Sequence, residues 1–217
     1  MLNFLYCFDS NYNIQATLSI YSLLEKVDKK INIFVIHKEN SFLDILNKKV
    51  TNHKNLNTIE VFKFREKNIK FPNLKNNHIS EATYYRLFIS QYLPKEIKYI
   101  TYLDADIICT DNPSKEILNI QQKLDDKNFV GVKTEIRRKK GTEQLFENLD
   151  MQNDIYFNAG VMIIDLELWK KKNVEKIAQK KMMALEGKIQ FWDQDILNSI
   201  LDGNFYEINP RLNYIIS

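Results

Sequence analysis

The most informative part of the sequence is "YITYLDADIICT", residues Tyr99–Thr110. An apolar, β-branched run of the kind that forms a central strand ends in two carboxylates, Asp104 and Asp106, with Ala105 between them. Alternate side chains of a strand point the same way, so the two carboxylates can converge if strand geometry holds to its end. Two ionised groups at an apolar sheet edge are costly, and a divalent cation such as Mg²⁺ or Mn²⁺ would offset their charge. The alternative is a strand end whose aspartates merely cap a turn.

Before this stretch the chain alternates between strand and helix patterns. Strands are predicted at "NFLYCF", "INIFVIH" and "TIEVFKF". A helix is predicted at "NIQATLSIYSLLEKV", where Ile14, Leu18, Tyr21 and Leu24 recur at helical spacing, and another at "SFLDILNKKV", with Ser41 as its N-cap. The order β-α-β-α-β predicts an α/β fold with a mostly parallel central sheet and helices on both faces.

The same order predicts where a ligand binds. In open α/β sheets ligands bind at the carboxyl ends of the strands. Asp9 directly follows the first strand, and Asp104 and Asp106 follow the central one. All three carboxylates are therefore expected at one edge of the sheet.

The second half of the chain continues the alternation. We predict a helix at "ISEATYYRLFISQYL", with Ser80 and Thr83 as caps, and a strand at "FVGV". The basic segment "EIRRKKGTEQL" is predicted as a loop, either simply solvated or covering an anionic substrate. In "YFNAGVMIIDLELW" a small-residue turn at residues 158–160 leads into an apolar run. Helices at "NVEKIAQKKMMALEG" and "FWDQDILNSIL" and a short strand at "NFYEIN" complete the pattern.

Length and composition predict one domain over residues 1–217. The chain has 44% hydrophobic residues, and its 31 basic and 28 acidic residues are spread along it, without the basic patch that nucleic acid requires. Cys7 and Cys109 lie in apolar, strand-like runs, which favours buried thiols over a disulfide and fits a reducing compartment. The sequence shows no signal peptide and no spanning segment, so a cytoplasmic location is expected.

Five motifs, in this order, carry a family resemblance: "FDSNYN", "HISEATYYRL", "YLDADIIC", "YFNAGVMIIDLELWK" and "WDQDILN". Over nearly its whole length the chain resembles the retaining glycosyltransferases of family 8, the group of the bacterial lipopolysaccharide galactosyl- and glucosyltransferases and of glycogenin. The resemblance implies a GT-A fold, a Rossmann-like sheet with a DxD metal site. It further implies transfer of galactose or glucose from a UDP-hexose donor to a glycan or lipid-linked saccharide acceptor, with Mn²⁺ (or Mg²⁺) as cofactor.

For the nucleotide, the resemblance assigns roles to two motifs. Asp9 and Asn11 match residues that contact uridine and ribose. Asp104, Ala105 and Asp106 match the DxD motif, whose two carboxylates hold the metal against the diphosphate. The alternative for Asp9 and Asn11 is an N-cap and turn at the start of the first helix, because Asp and Asn favour such places without any ligand.

For the sugar, the resemblance assigns roles to residues far apart in the chain. Arg86 matches a basic residue near the diphosphate and donor sugar, and Asn158, Ala159, Asp193 and Gln194 match residues lining the sugar, the last two as catalytic candidates. Each has a structural alternative. Arg86 can face solvent, Asn158 and Ala159 can belong to a tight turn, and Asp193 can be a helix N-cap.

One departure from the family pattern concerns the C-terminal end. Family members end with a His-x-x-Gly-x-x-Lys-Pro-Trp segment that completes the metal site, whereas this sequence stops at "NPRLNYIIS". None of His37, His53 and His78 has that context, and His78 is expected to be a polar core group or a neighbour of the site. Either the sequence is an incomplete version of a longer protein or the site is degraded, and the intact upstream motifs favour the first. The missing segment would then provide any peripheral contact with the inner face of the membrane.

Chemistry limits the mechanism that these residues can support. The amide of Gln194 is a poor nucleophile, which favours attack by the acceptor on the same face over a covalent double displacement. Two other kinds of protein remain in view. A UDP-sugar-binding module would bind without turnover, and a phosphatase with a DxD nucleophile would usually carry its aspartates on the first strand. Asp195 is expected either to have a structural role or to support the residues that contact the substrate.

Overall fold

The computed structural model describes residues 1–39, 41–65, 69–72 and 80–214. Its strands are β1 (Asn3–Phe8), β2 (Ile31–His37), β3 (Leu56–Lys63), β4 (Tyr99–Leu103), β5 (Val130–Arg137), β6 (Ile155–Asp165) and β7 (Tyr206–Glu207). Its α-helices are α1 (Asn13–Lys26), α2 (Phe42–Ile45), α3 (Lys48–Thr51), α4 (Ser114–Gln121), α5 (Glu143–Asn148), α6 (Leu166–Lys171), α7 (Val174–Ala184) and α8 (Trp192–Leu201). The more tightly wound 3₁₀ helices cover Ser10–Tyr12, Glu81–Gln91 and Pro210–Asn213.

Within the described residues the strands form one seven-stranded sheet in the order β3-β2-β1-β4-β6-β5-β7. Strands β3, β2, β1 and β4 are parallel, β6 is antiparallel to both β4 and β5, and β7 is parallel to β5. The predicted α/β fold with a mostly parallel sheet is confirmed. Because Leu5 of β1 lies beside Tyr102 of β4, the two strands end at the same edge of the sheet.

Helices cover both faces of this sheet, as predicted. On one face α7, α8 and the helix Glu81–Gln91 bury large side chains such as Tyr84, Phe88 and Trp169. On the other face α1 and α4 bury Ile20 and Ile117. Each fully buried side chain of this size contributes about 1.5–3 kcal/mol of hydrophobic free energy. The sheet is therefore a rigid base for side chains at its edge.

Helix α1 is confirmed, but its buried face differs from the apolar residues that predicted it. Ile14 is 75% exposed and Leu18 is 55% exposed. Leu24 is buried as its spacing predicts, and it packs on the sheet together with Ala16, Ile20 and Leu23. Apolar spacing alone identified the helix, whereas the neighbouring strands select its buried face.

The predicted helix at "SFLDILNKKV" is wrong in extent, because the chain forms two short helices, α2 and α3. Leu46 and Asn47 between them have extended backbone, with ψ of 130° and 140°. Ser41 makes no side-chain cap bond in the structure. The side chain of Asn47 instead accepts a 2.9 Å hydrogen bond from the backbone N–H of Lys49 and caps α3.

Two further predictions are corrected on β5 and β6. The strand predicted at "FVGV" continues to Arg137, so part of the predicted basic loop is strand and its end is helix α5. Residues 158–160 lie inside β6 and do not form a turn. The reason is tertiary pairing, since Lys133 and Asn158 are partners across the β5–β6 ladder.

The two cysteines do not form a disulfide, as predicted, but Cys109 does not lie in a strand. Both thiols are unpaired, with Cys7 buried in β1 and Cys109 half-buried after the end of β4. Among the described helices, none has the length and apolar character needed to cross a membrane.

Candidate active site

The two carboxylates of the Asp104-Ala105-Asp106 motif face one cavity, but strand alternation is not the reason. Strand β4 ends at Leu103, and the backbone N–H of Ile107 donates to the carbonyl oxygen of Asp104 at 3.2 Å, which closes a turn. Strand geometry therefore does not hold through the motif, and the alternative of a turn at the strand end is present in the structure. All three residues of the motif nevertheless line the same cavity of about 210 Å³.

Two side chains hold Asp104, and Gly160 leaves space beside it. Its Oδ1 accepts a 2.7 Å hydrogen bond from the hydroxyl of Tyr102 and lies 3.0 Å from Nη1 of Arg86. Its Oδ2 lies over Gly160. A Cβ added to Gly160 would lie 3.1 Å from Oδ2 of Asp104 and 3.0 Å from Oδ1 of Asn158. The absent side chain of Gly160 thus leaves room for this carboxylate.

The residues present fit a divalent cation at this turn. Burial and, next, the charge of Asp104 raise the pKa of Asp106, so the two carboxylates repel each other. A cation would remove that repulsion, and carboxylate oxygens are the ligands that Mn²⁺ and Mg²⁺ prefer. Within residues 1–39, 41–65, 69–72 and 80–214, no third His, Cys, Asp or Glu joins the pair in a metal-binding group.

The edge of β6 explains why functional side chains gather beside this turn. The pairing of β4 with β6 ends at Leu103 and Val161, and one further backbone hydrogen bond joins the N–H of Asp104 to the carbonyl oxygen of Gly160 at 2.8 Å. Among the described residues, Ala159, the residue before, has no backbone partner on this side. Side chains take over its hydrogen bonds. The N–H of Ala159 donates to Oε1 of Gln194 at 2.8 Å, and its carbonyl oxygen accepts from Nη1 of Arg86 at 2.7 Å. The backbone of Ala159 therefore holds the side chains of Gln194 and Arg86 next to Asp104.

Arg86 does not face solvent, which rules out its structural alternative. It lies in the 3₁₀ helix Glu81–Gln91, whose N-cap Ser80 accepts from the N–H of Ala82, and it is only 6% exposed. Its Nε lies 2.7 Å from Oδ2 of Asp193, and its Cζ lies 4.4 Å from the ring centroid of Tyr102. A buried guanidinium requires such partners, and here carboxylates of two separate segments supply them.

Asp193 lies in the first turn of α8, whose N-cap is Phe191, so the N-cap alternative for Asp193 is wrong. Its Oδ1 accepts a hydrogen bond from the hydroxyl of Thr83. Burial raises the pKa of Asp193 to about 6, while Arg86 and then Thr83 oppose this rise. The preceding residue, Trp192, has a φ of 47°, an uncommon value for a bulky residue and one that concentrates at functional sites.

Asp9 and Asn11 lie at the edge of the site and bond to each other. Oδ1 of Asp9 accepts from the N–H of Asn11 at 3.0 Å and caps the 3₁₀ helix Ser10–Tyr12. The predicted capping alternative is thus present in the structure. Phe8 and Tyr12, on either side, line the cavity of the Asp104 turn. A contact with a base or ribose remains a prediction for Asp9 and Asn11.

A second cavity, of about 390 Å³, adjoins the first. Thr83, Arg86 and Asp104 line both, so the two form one cleft with these residues at the junction. The second part is further lined by Glu135, Ile136, Asn158, Phe191, Trp192, Asp193 and Gln194. The structure therefore brings the predicted phosphate-side and sugar-side residues to adjacent parts of one cleft.

Glu135 was not predicted as a site residue, because its segment was predicted as a basic loop. Its carboxylate accepts hydrogen bonds from Nδ2 of Asn158 at 3.3 Å and from Nε2 of Gln194 at 3.2 Å. Extending strand β5 along the sequence would have indicated that Glu135 lies near the β6 motif. Thr83 was predicted only as a helix cap and instead contacts Asp193. His78 lies outside the described residues.

Comparisons with known proteins agree with this geometry. Residues 3–217 match the family model for glycosyl transferase family 8. A Haemophilus influenzae protein is 28% identical over 224 residues, covering 98% of this chain and 63% of its own length. A lipopolysaccharide 1,2-glucosyltransferase of Escherichia coli is 30% identical over 201 residues, covering 88% of this chain and 56% of its own. The chain thus spans less than two thirds of both relatives.

Among solved structures, the galactosyltransferase LgtC in complex with donor and acceptor sugar analogs superposes with a TM-score of 0.80. The match is 23% identical and covers 97% of this chain and 74% of LgtC. The fold is therefore a GT-A-like glycosyltransferase fold, as predicted. With the family model spanning almost every residue, the chain belongs to glycosyl transferase family 8.

Proposed function

We propose that this chain transfers a hexose, galactose or glucose, from a UDP-sugar to a hydroxyl of a glycan or lipid-linked saccharide, with retention of configuration and dependence on Mn²⁺ or Mg²⁺. One observation carries the proposal. Arg86 and Asp104 lie where the two parts of the cleft meet, with Asp106 in the first part and the amides of Asn158 and Gln194 in the second, beside the carboxylates of Glu135 and Asp193. A donor diphosphate would lie at that junction, with the nucleotide towards Asp9 and the hexose towards Gln194.

Charge balance supports the phosphate position. Asp104 and Asp106 would hold the divalent ion, which when bound supplies Lewis-acid stabilisation for the departing diphosphate. Arg86 adds a positive charge that is already fixed by Asp193, Asp104 and the carbonyl oxygen of Ala159. Because the guanidinium of Arg86 is held in place before the substrate binds, it need not reorganise during the reaction. Such preorganised charge is among the largest contributions to catalysis.

On the sugar side, side-chain oxygen atoms would stabilise the positive charge that develops on the hexose during transfer. The carbonyl oxygen of Gln194 accepts one hydrogen bond, from Ala159, and a carbonyl oxygen has two lone pairs. Asp193 provides a buried carboxylate that is mostly ionised at pH 7, since burial raises its pKa only to about 6. Because an amide is a weak nucleophile, we favour same-face attack by an acceptor hydroxyl held beside the leaving phosphate.

The relatives support the reaction class. A lipopolysaccharide glucosyltransferase is 30% identical, and LgtC has been solved with both donor and acceptor sugar analogs. The unpaired thiols of Cys7 and Cys109 support a reducing compartment such as the cytoplasm, where an acceptor at the inner face of the membrane would be reached.

The test uses the full-length protein and measures release of UDP from UDP-glucose and UDP-galactose in the presence of Mn²⁺, with and without candidate acceptors. We expect hydrolysis or transfer that Asp106→Asn abolishes and that chelation of the metal stops. Binding of UDP-hexose without turnover for every hexose would overturn the proposal in favour of a binding module. Release of phosphate from a simple phosphate ester, without any nucleotide sugar, would instead indicate a phosphatase.

A further inference from the structure

We propose that Tyr156 is a positioning residue that sets the orientation of the Gln194 side-chain amide. The inference rests on the proposed function of Gln194 at the sugar. Tyr156 is fully buried, and unlike Gln194 it does not line the cleft. It therefore acts through Gln194 and not on a substrate.

The orientation of the Gln194 amide depends first on the hydrogen bonds of Asp195. This fully buried carboxylate accepts hydrogen bonds from the N–H groups of Gln190 and Phe191, at 2.6 and 2.9 Å, and from the hydroxyl of Tyr156 at 2.6 Å. An ionised carboxylate can only accept, so the hydrogen in the last contact belongs to Tyr156. Burial and the neighbouring carboxylate also raise the pKa of Tyr156, which keeps the phenol protonated.

The direction of the next hydrogen bond follows from this. With its only hydrogen given to Asp195, the hydroxyl oxygen of Tyr156 can offer Gln194 only lone pairs. The Gln194 atom 3.2 Å away must then be the donor Nε2, whose other hydrogen points to Oε2 of Glu135, also at 3.2 Å. Both amide hydrogens are thereby used.

The carbonyl oxygen must lie on the opposite side, where it accepts the N–H of Ala159 at 2.8 Å. A flipped amide would place its oxygen against the lone pairs of Tyr156 and the carboxylate of Glu135. It would also place its NH₂ group against the N–H of Ala159. All three contacts would be repulsive, so the chain Asp195–Tyr156–Gln194 permits a single orientation.

The first test reads the amide directly and needs no catalysis. We would follow solvent exchange of the Gln194 side-chain NH₂ group by NMR, with its signals assigned from their loss in Gln194→Ala. Tyr156→Phe removes one oxygen atom and one of the two acceptors, and we expect exchange to speed up about 10-fold or more. The matched control is Tyr84→Phe, which removes a buried hydroxyl that donates to the carbonyl oxygen of Pro72 at 2.8 Å, and should leave the exchange unchanged.

The second test is a double-mutant cycle on turnover. We expect Tyr156→Phe to lower kcat about 10-fold, as for partial loss of one preorganised group, with little change in KM for the UDP-sugar. In a Gln194→Ala background the same substitution should have no further effect. Tyr84→Phe should leave kcat unchanged in both backgrounds.

The outcomes separate this inference from the proposed function. Unchanged NH₂ exchange in Tyr156→Phe, or an equal loss of kcat in both backgrounds, would overturn the positioning role. If the wild-type protein turns over no UDP-hexose, the proposed function fails, and the exchange measurement still decides the inference. If Tyr156→Phe does not fold, Asp195→Asn is read by NH₂ exchange instead, because its amide nitrogen would donate to the Tyr156 hydroxyl and free the Tyr156 hydrogen to point at Gln194. An unchanged exchange rate in that variant would again contradict the proposal.

Discussion

Arg86 and Asp193 form a buried ion pair, with Nε of Arg86 2.7 Å from Oδ2 of Asp193 and exposures of 6% and 2%. The same guanidinium also lies 3.0 Å from Oδ1 of Asp104. One cation therefore balances a carboxylate on each side of the cleft junction. Removing it would leave both sides with excess negative charge.

Arg86→Ala should lower the free energy of unfolding by about 3–5 kcal/mol, because Asp193 would remain buried without its counter-charge. Urea denaturation at pH 7 measures this difference. Arg86→Ala/Asp193→Asn is the informative control, since it removes the stranded carboxylate and should be more stable than the sum of the single losses predicts. A loss below about 1 kcal/mol in Arg86→Ala would show that the pair is not buried as described.

Asp193 should make stability depend on pH. Its pKa is raised from the ordinary value of 3.8 to about 6, so the folded state binds the proton more tightly than the unfolded state. This stabilisation is fully present below about pH 4 and is lost as the pH rises through about 6, a loss of about 3 kcal/mol. Denaturation of wild type and Asp193→Asn from pH 4 to pH 7 measures it. The wild type should lose more stability than the variant over this range, and parallel pH profiles would contradict the raised pKa.

Gly160→Ala should weaken the proposed metal site more than the fold. The new Cβ would lie 3.1 Å from Oδ2 of Asp104, which must move to make room. Displacing a ligand in this way should reduce the gain in UDP affinity on adding Mn²⁺ by about 10-fold or more, as measured by calorimetry. The control is Gly131→Ala, whose Cβ would lie 2.9 Å from Cγ2 of Ile120, within the core. It should cost stability and keep the Mn²⁺-dependent gain, and an equal loss in both variants would refute the local explanation.

Substitutions in α1 should separate its two faces. Ile20 is fully buried, so Ile20→Ala should cost about 2–5 kcal/mol of unfolding free energy. Ile14 is 75% exposed, and Ile14→Ala should change stability by no more than about 0.5 kcal/mol. Thermal and urea unfolding of the two variants decide between these faces. Similar losses at both positions would mean that a partner covers Ile14 in solution.

Much of the fold could be predicted from local pattern. Apolar strand runs, the alternation with helices and the carboxylates at the end of the central run place Asp9, Asp104 and Asp106 at one edge of the sheet. These features depend on neighbours in the chain, such as a strand period of two or a helical period of 3.6. The family motifs added the sugar-side residues, and the structure places Arg86, Asp193 and Gln194 close together.

Local pattern failed where a contact between distant segments outweighed it. Residues 158–160 look like a turn, yet pairing with β5 makes them strand. Glu135 looks like part of a solvated basic loop, yet it lies in β5 at a register shift between Thr134 and Ile136, where its side chain contacts the amides of Asn158 and Gln194.

The chain's own order of residues was enough to establish an α/β sheet with acidic groups at its carboxyl edge, because hydrophobic periodicity and strand ends are local properties. The burial of Arg86 and the orientation of Gln194 arose only on folding. Each depends on hydrogen bonds and charges contributed by segments far apart in the chain, at the point where β4 ends and leaves the backbone of β6 to be satisfied by side chains.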